Sequence, residues 1–320
     1  MFIITLLSTS IIQLTSGSDW NYESKGPDVW SDTYPSCNGH FQSPILIQTA
    51  CTSYRSFTSF NFTSAYDRAH DFILSNNGHT IVGTFASGNS SLLKLSGGDL
   101  NGIFEFVGFH LHWGENYKSG SEHQVDGKKY TGEIHLIHRN PETSQSAVLG
   151  YFIQSSYDLK TNEKIILSSL NNDLIQTPNK TLNEWKRYFL AAENLEKTKN
   201  STVLRLNLMS LIGNQLNDFW RYEGSLTTPP CTEGIIWTVF KIPVAFSEQN
   251  INILRQMITF HGYRSPQPLY NRVVYRSFPK ETISTIPDYH RCSSDTYKIT
   301  MNVFLVISTI CFFIIFLNNK

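Results

Sequence analysis

The sequence has no excess of charge of either sign: 26 Lys and Arg residues balance 26 Asp and Glu residues. This balance argues against a nucleic-acid partner and against an electrostatic membrane patch. Alanine is sparse, whereas serine, threonine, asparagine, tyrosine and phenylalanine are abundant, which favours strands and turns over helices. Neither an internal repeat nor a linker interrupts the chain, so we predict one large domain over residues 18–285.

Both ends of the chain carry apolar segments that are typical of export. Residues 1–17 end in small residues and predict a secretory signal peptide, although no basic residue precedes the apolar run. After a stalk at 286–294, residues 295–320 hold a polar spacer and a second apolar run, which is shorter than the about 20 residues of a membrane span. This order predicts a glycosylphosphatidylinositol signal with attachment at Ser293 or Ser294, and a short membrane anchor is the alternative. The predicted location is the extracellular face of the plasma membrane.

Other signals agree with export. Four sequons predict glycosylated surface loops, at Asn61, Asn89, Asn179 and Asn200. An exported chain can form disulfides, and the mature domain would hold Cys37, Cys51, Cys231 and Cys292. Four cysteines allow three pairings, among which spacing alone does not choose.

Two runs that contain histidines form the candidate metal site of the sequence. His110 and His112 are two residues apart in an apolar strand pattern, so both side chains point to one face of a sheet. If the run Gly132–His138 pairs beside it, His135 joins that face. Three imidazoles without a fourth protein ligand are typical of a catalytic zinc site with an open position. Glu133, on the same face, can accept the second N–H of His135 and set its tautomer.

Period-two and continuous apolar runs predict a mainly β, β-rich α+β domain with a few short helices. Residues 20–44 form a packed irregular segment, and 192–200 an exposed insertion. Strands are predicted at 45–47, 57–62, 92–95, 109–113, 132–138, 147–153, 203–209, 235–240 and 273–275, and a hairpin at 72–82 around Asn77-Gly78. Helices are predicted at 162–169, 181–190 and 247–257.

Short motifs follow one another in order along residues 20–277. They are Trp20–Tyr22, Gly26–Pro27 with Trp30, Gln42–Ile45, Asn76–His79, Phe109–Gly114, Ser121–Asp126, Glu133–His138, Ala147–Gly150, Gly224–Pro230 and Pro266–Arg272. Together they resemble the α-class carbonic anhydrases. The resemblance implies a single domain with a central, mostly antiparallel ten-stranded twisted sheet, and a zinc ion at the floor of a conical cleft.

The resemblance also implies roles for single residues. His110, His112 and His135 match the zinc ligands. Thr227 matches the residue that accepts a hydrogen bond from the zinc-bound nucleophile and passes one to Glu122, so that the nucleophile is oriented. His79 matches a proton shuttle that titrates near neutrality.

Further positions match the walls of the cleft. Tyr22 and Asn77 match residues that order water between zinc and shuttle, and Thr228 lies beside the substrate. The apolar wall for carbon dioxide is implied at Ile137, Val148, Leu226, Ile235 and Trp237. Cys37 and Cys231 match a disulfide of secreted family members, which leaves Cys51 and Cys292 as a second pair. We expect His123 and His138 to be buried structural histidines, His123 beside the ligands.

Three positions depart from the family pattern. Gly108 stands where the family usually has a glutamine that hydrogen-bonds the first ligand, which predicts a looser His110 and weaker zinc retention, by about 10–100-fold. Val82 replaces a polar residue of the water network and predicts slower proton transfer. Ser146 replaces an apolar residue of the wall.

The implied activity is the reversible hydration of carbon dioxide to bicarbonate and a proton, because zinc lowers the pKa of its bound water to about 7. The substrate is a small molecule, and the oligomeric state is left open. A surface binding module that kept the fold and lost the chemistry is the alternative, but such modules lack one or more zinc histidines and all three are present here. A zinc hydrolase acting on esters or phosphates leaves the apolar wall unexplained.

Overall fold

A computed structural model describes residues 20–86, 92–155, 179–246, 248–257 and 262–279. The predicted signal peptide, stalk, anchor signal and helix at 162–169 lie outside these residues, as do Asn89, Cys292, Ser293 and Ser294. Within the described ranges, no helix is both long and apolar enough to cross a bilayer.

Strands dominate the described chain. They are β1 Leu46–Ile47, β2 Ser53–Tyr54, β3 Phe60–Phe62, β4 Ala69–Asn76, β5 Ile81–Phe85, β6 Lys94–Gly97, β7 Phe104–Trp113, β8 Gln124–Val125, β9 Gly132–Arg139, β10 Ser146–Ser155, β11 Ser201–Asn207, β12 Phe219–Ser225, β13 Glu233–Phe246 and β14 Tyr275–Arg276. The α-helices are α1 Trp30–Thr33, α2 Asn179–Ala192, α3 Leu208–Ile212 and α4 Glu248–Met257, and 3-10 turns occur at Pro35–Asn38, Thr49–Cys51 and Ser64–Asp67.

Most strands belong to one twisted sheet. Its continuous path runs β11-β4-β5-β7-β9-β10-β13-β12-β14-β2, with β6 joined to β7 and β3 joined to β6. The pairs β10–β13 and β14–β2 are parallel, and the other pairs of this sheet are antiparallel. The predicted mainly β fold is confirmed. Among the described residues the sheet has twelve strands rather than ten, because β3 and β6 lie beside the ten-strand path.

The hairpin between β4 and β5 follows directly from its turn residues. Gly78 has a φ of +92°, a conformation that glycine adopts without steric cost. The Asn77 side-chain oxygen accepts the backbone N–H groups of His79 and Thr80, each at 2.9 Å. This local pattern is the one that predicted the hairpin from the sequence.

The two faces of the sheet have different partners. Phe109 and Leu111 of β7 are buried in the larger apolar core, together with the buried stripe of α2 formed by Trp185, Tyr188 and Phe189. Alternate residues of the same strand therefore point to the opposite face, where a second apolar cluster lies. The fold thus uses one face of β7 for stability and leaves the other face for the histidines.

Several local predictions need correction. The strand predicted at 203–209 ends at Asn207, because the Asn207 side chain accepts the N–H of Ser210 at 2.7 Å and starts α3. Strand β12 was not predicted, because Arg221 and Glu223 interrupt its apolar pattern. The insertion at 192–200 is mostly exposed, but Leu195 packs into the core.

Candidate metal centre

The pairing of β7 with β9 brings three imidazole rings together. His110 and His135 are direct partners in the antiparallel register, and His112 lies on the same face of β7. Nε2 of His110 is 3.0 Å from Nε2 of His112 and 3.2 Å from Nδ1 of His135. Two ligands of a tetrahedral zinc ion lie about 3.3 Å apart when each Zn–N bond is about 2.0–2.1 Å. The three nitrogens therefore fit one shared ion.

The far nitrogens of two rings have acceptors that fix their tautomers. Nε2–H of His135 donates to Glu133 Oε1 at 2.8 Å, and Nδ1–H of His112 donates to the Gly262 carbonyl oxygen at 2.5 Å. Each ring therefore turns an unprotonated nitrogen toward the cluster. Burial lowers the pKa of His112 to about 4 and also lowers the pKa values of His110 and His135, so neutral imidazoles face the centre at pH 7.

His110 differs from the other two rings. Its Nδ1 has no acceptor among the described residues, because Gly108, two residues earlier on the same face, has no side chain. Its neighbour on β5 is Val82, which is apolar. His110 is also half-buried, whereas His112 and His135 are buried, so the centre opens on the His110 side.

A second cluster around Glu133 is a hydrogen-bond network rather than a competing metal site. Glu133 Oε1 accepts Nδ1–H of His123 at 2.7 Å as well as Nε2–H of His135, and its Oε2 accepts the backbone N–H groups of Glu122 and His123. His123 Nε2 lies 2.7 Å from the Tyr222 hydroxyl, which can donate to it. Every one of these groups is buried and partnered, so no open ligand position exists there.

Glu122 lies beside the three imidazoles. Its Oε2 is 3.3 Å from His112 Nε2, and its Oε1 accepts the backbone N–H of Arg264 at 2.8 Å. Burial raises the pKa of Glu122 to about 7, while hydrogen bonds from Arg264 and from the Thr227 side chain oppose that rise. Thr227 is itself buried, at 5% exposure, so its hydroxyl and the Glu122 carboxyl both lie away from bulk water.

Four of the five residues of the predicted apolar wall lie on adjoining strands, and Leu226 directly follows β12. Val148 of β10 is the register partner of both Ile137 on β9 and Trp237 on β13. Ile235 belongs to the same apolar cluster, against which Ile137 and Leu226 are partly buried. The ring of Trp237 lies 4.8 Å from the ring of His135, so the wall adjoins the histidine cluster. Ser146 is half-buried at the start of β10, and Thr228 is half-buried next to Thr227.

His79 lies against aromatic side chains. Its ring stacks on Trp20, with centroids 3.7 Å apart and planes 9° apart, and Tyr22 approaches it edge-on at 6.4 Å. Burial lowers the pKa of His79 to about 4, whereas the sequence predicts titration near neutrality. The side-chain oxygen of Asn77 is occupied by the turn, and its predicted role in ordering water stays a prediction.

The structure pairs Cys37 with Cys231, as the resemblance implies. The Cys231 N–H donates to the Thr228 carbonyl at 2.9 Å, so the disulfide attaches to the loop that carries Thr227. The predicted partner of Cys51 lies outside the described residues. Of the sequon asparagines, Asn61 and Asn200 are exposed, and Asn179 begins α2.

Sequence reasoning missed two contributors to the centre. The Gly262 carbonyl and the Arg264 backbone N–H contact His112 and Glu122 across sequence separations of 150 and 142 residues. Neither residue belongs to a motif that we quoted, and no local pattern links them to the histidines. The stacking of Trp20 on His79 was missed for the same reason, although Trp20 was part of a motif.

Comparisons with known proteins agree with this geometry. The family model for eukaryotic-type carbonic anhydrases matches residues 25–278. Carbonic anhydrase 1 of Mus musculus is 35% identical over 277 residues, covering 82% of this chain and all of that protein. Carbonic anhydrase 3 of Homo sapiens is 32% identical over 283 residues, covering 81% of this chain and 98% of that protein. The chain therefore belongs to the eukaryotic-type carbonic anhydrases of the α class, a family of carbonate dehydratase enzymes.

Proposed function

We propose that this chain catalyses the reversible hydration of carbon dioxide to bicarbonate and a proton, with zinc held by His110, His112 and His135. The observation that carries the proposal is the convergence of three neutral imidazole nitrogens beside an apolar wall. Zinc held by these three histidines would supply a nucleophile at neutral pH, because the metal lowers the pKa of water to about 7.

Side chains around the three histidines orient the nucleophile and hold the substrate. Thr227 donates its hydroxyl hydrogen to Glu122, so its lone pair is free to accept a hydrogen bond from the nucleophile and to orient it. Val148, Trp237 and Leu226 hold the linear, apolar substrate out of bulk water next to His135. Thr228, half-buried beside Thr227, bounds the substrate position.

His79 carries the proton to buffer in this proposal. A ring stacked on Trp20 with a pKa of about 4 is a poor proton acceptor at neutral pH. The shuttle therefore requires the ring to rotate away from Trp20 into the water of the cleft, where the pKa of an imidazole is about 6.5. Tyr22 lies next to this path and helps to order water along it.

Hydration measured with and without a chelator tests the activity. The full-length chain on expressing cells should acidify a carbon dioxide solution faster than cells without the chain. This acceleration should be lost after zinc removal and return when zinc is added back. His112→Ala should lack both zinc and activity, whereas His70→Ala, a substitution far from the three ligands in the sequence, should keep both. A zinc-loaded chain without activity would instead indicate a binding module.

The proposed setting is the extracellular face of the plasma membrane, with a signal peptide at 1–17, the catalytic domain at 18–285, a stalk at 286–294 and an attachment signal at 295–320. The exposure of Asn61 and Asn200 supports glycan addition during export. Phosphatidylinositol-specific phospholipase C should release the activity from cells, and removal of N-glycans should lower the apparent mass. Activity that stays with the cells after this treatment would favour a membrane span.

A further inference from the structure

One short segment contacts two different groups of the metal centre. The Gly262 carbonyl accepts the Nδ1–H of His112, and the Arg264 backbone N–H donates to Glu122 Oε1. Gly262, Tyr263 and Arg264, called here the 262–264 segment, therefore orient both an imidazole of the cluster and the carboxylate beside it.

The 262–264 segment belongs to no helix and to no strand, so sheet hydrogen bonds do not set its position. The Arg264 side chain sets it instead. This side chain is only 2% exposed, and its guanidinium donates to Gln42 Oε1 at 2.8 Å, to the Ser43 carbonyl at 2.9 Å and to the Cys37 carbonyl at 2.8 Å. Hydrogen bonds from a charged guanidinium are among the strong ones, and a planar fork suits several fixed acceptors.

Two further contacts clamp the segment. Nζ of Lys129 lies 3.5 Å from the centre of the Tyr263 ring, and the Arg264 guanidinium carbon lies 5.7 Å from the Trp30 ring. Burial lowers the pKa of Arg264 only to about 10, so the guanidinium keeps its charge at neutral pH. The segment is therefore anchored at its last two residues, Tyr263 and Arg264. Because Gly262 directly precedes them, its carbonyl group is positioned by the same contacts.

We propose that Arg264 is a positioning residue for the metal centre, because its guanidinium anchors the backbone that aims His112 and Glu122. This inference rests on the proposed function, since a chain that holds no zinc has no need of an aimed His112. It predicts that loss of the guanidinium loosens zinc, although the guanidinium donates to Gln42, Ser43 and Cys37 and not to the histidines.

The test compares Arg264 with another buried arginine. Arg276 is 8% exposed and donates to the carbonyl and hydroxyl oxygens of Thr52 near the β2 edge of the sheet, without contact to the centre. Zinc release into excess chelator should be about tenfold faster in Arg264→Ala than in the wild type, the lower end of the range for groups that orient a ligand. Arg276→Ala should release zinc at the wild-type rate, even though both variants lose thermal stability.

Arg264→Lys provides a second variant should Arg264→Ala not fold. Lysine keeps the charge but cannot reach three acceptors with a rigid fork, so zinc release should fall between those of the wild type and Arg264→Ala. Turnover in Arg264→Lys should also fall, and added imidazole should not restore it, since proton transfer is not the step affected.

The outcomes separate the two proposals. Wild-type zinc release in the folded Arg264 variants, or equal acceleration in the Arg276 control, would reduce Arg264 to a structural residue and leave the proposed activity standing. A wild-type chain that holds no zinc would overturn both the activity and this inference.

Discussion

Gly108→Gln is the most direct test of the departure at His110, the first of the proposed zinc ligands. Residues 108 and 110 lie on the same face of β7, so a glutamine at 108 can place its side-chain oxygen near Nδ1 of His110. The other two rings already have such acceptors in Glu133 and Gly262. In the variant, all three histidine rings would therefore have a hydrogen-bond acceptor for the nitrogen that faces away from the cluster.

The structure also shows why a side chain at position 108 should lower the free energy of unfolding. A Cβ at position 108 would lie 3.0 Å from the Gly83 carbonyl oxygen and 3.6 Å from Thr84 Cγ2. Gly83 has little freedom to yield, because the Phe109 ring lies against it. We expect the tight contact to cost about 1 kcal/mol of unfolding free energy. A tenfold gain in zinc affinity corresponds to about 1.4 kcal/mol.

The two effects separate in two assays. Chelator competition should show zinc bound about tenfold more tightly in Gly108→Gln than in the wild type. Gly108→Ala adds the Cβ without an acceptor, so it should share the loss of stability in urea unfolding of the zinc-free chain and leave zinc affinity unchanged. Equal zinc affinity in the Gln and Ala variants would refute the reasoning that His110 is loose for want of an acceptor.

Four other predictions follow from the same contacts. His79→Ala should lower turnover in weak buffer, and imidazole should restore part of it; absence of rescue would argue against the shuttle. Thr227→Ala should lower turnover by about 100-fold in any buffer, and Thr227→Ser should recover most of it. The folded-state pKa of His79 is lowered from 6.5 to about 4, so its contribution to stability is full above pH 6.5 and is lost as the pH falls through 4. His79→Phe keeps an aromatic ring on Trp20 but cannot be protonated. Its melting temperature should therefore fall less between pH 7 and pH 4 than that of the wild type. Joint replacement of Cys37 and Cys231 by alanine should cost about 5 kcal/mol in urea unfolding, because the disulfide spans 194 residues; a cost near zero would contradict this entropic account.

The sequence predicts those parts of the centre that depend on local geometry. His110 and His112 share a face because residues alternate along any strand, and the apolar residues between them place that strand over the core. His135 could be added because its own strand carries the same alternation. The turn at Asn77-Gly78 was predictable for a similar reason, since its hydrogen bonds join residues two or three apart.

Contacts between distant segments were not predictable. Gly262 and Arg264 contact the centre from an irregular segment. Such a segment has no helix or strand periodicity in its sequence from which its contacts could be predicted. Burial lowers the pKa of His79, and its ring stacks on Trp20, which lies 59 positions earlier in the chain. The amino-acid composition does not predict that stacking. The start of α3 at Leu208 depends on a side-chain cap that ended an otherwise continuous strand pattern.

The groups around the three histidines come from Glu122 and Glu133 near the middle of the chain and from Gly262 and Arg264 near the end of the described domain. Ribosomes deliver a chain from its N-terminus, so a nascent polypeptide already carries all the imidazoles while the backbone that aims His112 is still inside the exit tunnel. With the proposed zinc site, tight binding of the metal would then await synthesis of nearly the whole described domain. An ion bound before Gly262 leaves the tunnel would lack the oriented His112 and would exchange more readily.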